Sequence, residues 1–138
     1  MGTWDADSFG NDTACDWTYG LEKVKDLRYV EQTLDQVLAC GSNQSVPAEV
    51  AECAVAAAEV VARLKGNWGI ENSYSETVDN WVRARRLTPP SALVAKAVAA
   101  LERIVVEPSE LLNLWTEGGE DSNGWVDTVA ELRARVAR

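Results

Sequence analysis

The sequence predicts an all-α fold, and three observations carry the prediction. Apolar residues recur at steps of three and four along most of the chain. No segment combines a sustained period of two with β-branched enrichment, so a sheet has no candidate strands. Gly41, Gly66, the "TPPS" at 88–91 and Pro108 punctuate the periodic stretches. The chain's 138 residues suit one domain able to bury roughly 68–70% of its unfolded surface. We expect a single helical domain over 1–138, with an irregular arm at 1–11 packed onto a bundle of six to seven helices at 12–138.

The first helix is expected from Asn11 or Asp12, either of which can cap it, to Gly20. Val24, Leu27, Val30, Leu34, Val37 and Leu38 form the stripe of a second, stopped by Gly41 as its C′ residue. Ser45, Pro47 and Glu49 start a third, which runs through Val50, Cys53, Ala57, Val60, Val61 and Leu64 to Gly66. Its "AECAVAAAEVVA" has small side chains on several faces, which places it at the bundle centre. Ser73 and Glu76 make a capping box for a fourth helix through Val78, Trp81 and Val82. After "TPPS" the stripe of Leu93, Val94, Ala97, Val98, Leu101, Ile104 and Val105 marks a fifth. Pro108 ends it, "ELLNLW" supplies a short sixth, and Trp125, Val129, Leu132 and Val136 line the last. Arg133, Arg135 and Arg138 suit the negative end of that helix's dipole.

Composition excludes several chemistries. Histidine is absent, which removes the commonest general base, His-containing metal sites and every nucleophile–His triad. A net charge of −9 argues against nucleic acid, whose affinity comes from clustered Lys and Arg. The acid is uneven: residues 1–69 carry a net −6 and residues 70–138 a net −3, so a basic protein partner would be steered to the first half. No run approaches the ~18 apolar residues of a membrane span, and no basic segment precedes an apolar one at the start. A cytoplasmic protein is expected, with no membrane and no cofactor. Cys15, Cys40 and Cys53, without CxxC spacing, read as buried thiols.

Four aspartates crowd the opening "WDADSFGNDTACDW". Asp5, Asp7, Gly10 and Asp16 fall at positions 1, 3, 6 and 12 of a calcium loop. Phe9 stands where the fifth position needs an oxygen, and Asp16 is shorter than the usual bidentate Glu. A structural reading explains more residues. Asp12 and Asp16 complement the helix dipole, while Trp4, Phe9 and Trp17 fold the arm onto the bundle. "MGTW" followed by "FGNDTACDW" resembles the start of a bacterial family of uncharacterised proteins, DUF4259. Trp4, Phe9, Asn11, Asp12, Ala14, Asp16 and Trp17 are the matching residues, and later segments such as "LVAKAVAALERI" and "ELLNLW" look like family segments in the same order. The resemblance implies a family fold and a shared N-terminal element. It brings no catalytic residue.

Glu49, Glu52 and Glu59 on the third helix read as a solvated rim, as does Glu102 beside Arg103. "WVRARR" places Arg83, Arg85 and Arg86 in solvent near a helix end, where they pair with local acids and make a candidate interface for an anion or acidic peptide. Trp68, between glycines in "GNWGI", is either a core plug or an exposed anchor. The function expected is a non-enzymatic protein-interaction module of immunity or antitoxin type. The alternative is a small-molecule or calcium-binding protein using the acidic N-terminal segment. Six tryptophans leave room for a self-interface, so a homo-oligomer fits the composition.

Overall fold

A computed structural model describes residues 12–116 and 124–138. Seven helices follow one another among the described residues: α1 (Asp12–Glu22), α2 (Arg28–Leu38), α3 (Ala48–Leu64), α4 (Glu76–Arg85), α5 (Ser91–Ile104), α6 (Glu110–Trp115) and α7 (Trp125–Ala137). The chain is all-α, as its periodicity predicts. The arm at 1–11, with Trp4, Phe9 and Asn11, lies outside the described residues.

Helix α3 is the axis of the bundle. Ala48, Ala51, Ala54, Ala56, Ala57, Ala58 and Ala62 are buried on all its sides, and it touches every other helix. Small side chains let neighbouring axes approach closely from several directions, so one core cluster draws on all seven helices. Each neighbour presents one stripe to it: Val30, Leu34 and Val37 from α2; Leu93, Ala97, Leu101 and Ile104 from α5; Trp125, Val129, Leu132 and Val136 from α7. Burying each such Val, Leu or Ile contributes roughly 1.5–3 kcal/mol.

Gly66 ends α3 as predicted. With φ at +87° it occupies the left-handed C′ position. Its amide donates to the Arg63 carbonyl at 2.9 Å, and that of Asn67 to the Ala62 carbonyl at 2.9 Å, which is the Schellman pattern.

Three boundaries differ from the sequence reading. Helix α1 runs past Gly20 to Glu22, because that glycine leaves space for the Tyr29 ring rather than for a turn. Helix α2 starts at Arg28, not Val24, because the Val24 carbonyl accepts Trp81 Nε1 at 2.9 Å and Asp26 Oδ1 takes the Arg28 amide at 3.1 Å. It ends at Leu38 with Ala39 as a right-handed cap, so Gly41 is not its C′ residue. The Ser73–Glu76 box is absent as well. Asn72 Oδ1 accepts the amides of Tyr74 and Ser75 at 2.9 and 3.1 Å, and Ser75 stands at the N-cap of α4.

One end of the bundle is closed by polar contacts. Val46 and Ser109 form an isolated parallel bridge, and Glu110 Oε1 accepts the Ala48 amide at the start of α3 at 3.2 Å. Arg103 donates to the carbonyls of Gln44, Pro108 and Val106 at 2.7, 3.0 and 3.1 Å, gathering two loops.

Candidate functional site

Helix α3 has no solvent face in its second half, so the charges it carries there must be satisfied inside. Glu59 and Arg63 stand one turn apart and are 5% and 2% exposed. This corrects the expected rim: Glu59 and Glu52 are buried, and Glu49 alone of the three is exposed. The surrounding helices supply the partners. Arg63 Nε donates to Asp79 Oδ1 of α4 at 2.7 Å, its Nη1 donates to Glu59 Oε1, and its Nη2 reaches the Ile70 carbonyl at 2.7 Å. Ser75 Oγ donates to the second Asp79 oxygen at 2.7 Å.

Arg135 enters from the last turn of α7, where its charge suits the negative end of the dipole as expected, and it is buried there. Its Nη1 and Nη2 each donate to Glu59 at 2.9 Å, and its Nε donates to the half-exposed Glu131 at 2.6 Å. Burial works against its charge. The bonds to Glu59 and Glu131, and the charges of both, outweigh that and hold its pKa above the ordinary value. Two guanidinium groups thus face two buried carboxylates with charge balanced, the arrangement in which burial of ions is tolerable.

Above this network runs the loop from Gly66 to Ser75. Trp68 is half-buried between two cations: the Arg63 guanidinium carbon lies 5.4 Å from its ring centroid and that of Arg83 4.7 Å. Arg83 also pairs with Glu71 at 2.5 Å. Beside them Ile70 is 64% and Tyr74 44% exposed, the former the most exposed large hydrophobic residue among those described.

Of the expected interface set, the structure brings Trp68 and Arg83 together. Arg86 instead closes α4 in a left-handed conformation, φ +50°. Arg85 is half-buried, with Nε enclosed and lacking a hydrogen-bond partner among the described residues. Asp79, Arg135 and Ser75 were not singled out as site residues from sequence.

In the N-terminal motif, Asp12 and Asp16 are exposed on α1, with Asp12 in the first turn. Trp17 is buried, donates from Nε1 to Thr33 Oγ1 at 2.8 Å, and stacks on Tyr29 at 5.0 Å between centroids. Asp5 and Asp7, the other calcium candidates, lie outside the described residues. Among those described, no three His, Cys, Asp or Glu gather to hold a metal ion. The three cysteines form no disulfide and are half-buried rather than buried. Burial, with Glu52, Glu49 and Asp16 nearby, pushes the Cys53 thiol up to about 11. An open, largely apolar hollow of about 290 Å³ lies between the start of α2 and the α4–α5 connection, lined by Leu27, Leu87, Pro90 and Leu93 among others.

These features define an α-helical bundle whose buried ion pairs underlie a loop that exposes Ile70 and Tyr74. Residues 2–128 match the family model described as "Domain of unknown function (DUF4259)", and the chain belongs to that family. No curated protein and no solved structure matches it. Among the described residues, no helix is long and apolar enough to cross a membrane.

Proposed function

We propose that this protein is a non-enzymatic interaction module that docks a basic protein partner through the 67–74 loop, in the manner of small immunity or antitoxin proteins. One observation carries the reading: Ile70 and Tyr74 project from a loop whose backbone is held from beneath by buried arginine. A hydrophobic residue exposed on an ordered loop is a suitable anchor, since little conformational freedom is lost when a partner covers it. Arg83 neutralises Glu71 at the loop itself, and it is the chain's net charge of −9 whose long-range field favours basic partners and accelerates their encounter. Three cysteines outside any disulfide fit a reducing, cytoplasmic setting.

The test compares the wild type with an Ile70→Asp/Tyr74→Ala double variant as bait in extract of the native host, at low and moderate salt. Far-ultraviolet circular dichroism and melting temperature are compared for the two baits, so that a loss of fold is not read as a loss of binding. Retention of one basic protein by the wild type and its loss by the variant is the expected result. Equal retention by both baits, or nothing specific at moderate salt, rejects the reading.

A further inference from the structure

The loop's order depends on a residue far away in sequence. Glu59 Oε1 accepts from Arg63 and from Arg135 at once, and those two arginines hold the loop by separate carbonyls. Arg63 takes the Ile70 carbonyl at 2.7 Å; Arg135 takes that of Asn67 at 3.3 Å. Asn67 returns the contact, its Nδ2 donating to the Arg135 carbonyl at 2.8 Å, and Lys65 Nζ reaches the Val136 carbonyl at 2.5 Å. Gly69 lies against the guanidinium so closely that a Cβ there would meet its Nη1, Cζ and Nη2 at 2.7, 2.8 and 2.8 Å.

We infer that Arg135 is the positioning residue of a latch by which the last turn of α7 holds the 67–74 docking surface in its ordered form. The contact chain runs from α7 through Arg135 to Glu59, on to Arg63, and so to the exposed Ile70. Loss of the Arg135 contacts therefore loosens the surface while Val136 and the core stripes of α2, α3 and α5 keep their packing. Arg135 lies beyond the residues matched to the family, so the latch is not something the family description assigns. The inference rests on the loop being a docking surface, but its test needs no partner.

Backbone ¹⁵N relaxation on the full chain reads it directly. In the wild type the amides of 68–71 should have order parameters near those of the helices, about 0.85. Arg135→Gln should drop them below about 0.6 while α3 and α5 stay unchanged. Arg135→Lys, which reaches Glu59 with one donor group, should fall between. Glu131→Gln removes only the outer partner and should leave the loop rigid. Gly69→Ala keeps every charge yet pushes the guanidinium off Glu59, so it should also loosen the loop; it decides the matter if Arg135→Gln does not fold. Unchanged order in Gly69→Ala and any folded Arg135→Gln, or loosening that spreads equally through α3 and α5, overturns the latch. A loop that loosens as expected in a protein that retains no partner leaves the latch standing and rejects the docking reading alone.

Discussion

Arg63→Met isolates the energetics of the buried network. Arg63 is 2% exposed, and its guanidinium bonds to Asp79, Glu59 and the Ile70 carbonyl. Methionine replaces the stem and none of the donors. Glu59 keeps the two 2.9 Å bonds from Arg135, so the damage concentrates on Asp79, which is 3% exposed and retains Ser75 as its side-chain partner. Removing one member of a buried pair and stranding the other costs about 3–5 kcal/mol. Against a total stability of about 5–15 kcal/mol, that is a large share.

Urea titration followed at 222 nm should show the midpoint falling by roughly 2 M with an unchanged slope. The double variant Arg63→Met/Asp79→Leu removes the stranded charge and should recover most of the loss, giving a coupling of about 2 kcal/mol or more. A single variant within about 0.3 M of the wild type would refute the reasoning, because water would then be reaching Asp79. So would a double variant as weak as the sum of the two single ones.

Three further outcomes follow from named contacts. Gly20→Ala gains about 1 kcal/mol of helix propensity, but its Cβ would lie 2.4 Å from Tyr29 Oη and 2.8 Å from Cζ, so thermal denaturation should show a net loss of about 1–2 kcal/mol; a stabilised variant would contradict the packing. Arg86→Gly relieves a left-handed residue at φ +50° and should raise stability by up to about 1 kcal/mol, an unchanged melting temperature counting against strain there. Cys53, its pKa raised to about 11, holds at pH 8 roughly 100-fold less thiolate than the same thiol at its ordinary value, and its alkylation rate followed by mass spectrometry should climb about tenfold per pH unit from 7 to 9.5. Rapid labelling at pH 7 would remove the burial argument.

Where one helix buries one stripe, the sequence is readable without its neighbours. The stripes of α5 and α7, the alanine faces of α3 and the turn at Gly66 all follow from spacing and from the few residues that tolerate positive φ. What could not be read is which charges meet. Arg63 and Asp79 are 16 residues apart, and Arg135 and Glu59 are 76 apart. A signal was present even so: a helix with small apolar residues on every side leaves its own Glu59 and Arg63 no water to face. Arg135 likewise follows Leu132 by three and precedes Val136, on the side of α7 that is buried. Gly20 misleads for the opposite reason, since its use is set by a tyrosine of the next helix and not by a local turn.

The choice of ions over apolar packing at this place has a chemical reason. Apolar residues of similar volume would often be as stabilising as a buried ion pair, so stability alone does not account for the network. What apolar side chains cannot do is donate. The α3–α4 loop turns the Ile70 and Asn67 carbonyls towards the bundle, and a carbonyl enclosed without a donor costs about 1–3 kcal/mol. Arginine has five N–H donors in a planar fork, enough to bind a loop carbonyl and one or two carboxylates together, where lysine offers a single point. With the carbonyls held inward, the Ile70 and Tyr74 side chains are left exposed. The buried charges thus fix the shape of the exposed surface, and under the proposed docking role changes to them should alter residence time more than association rate.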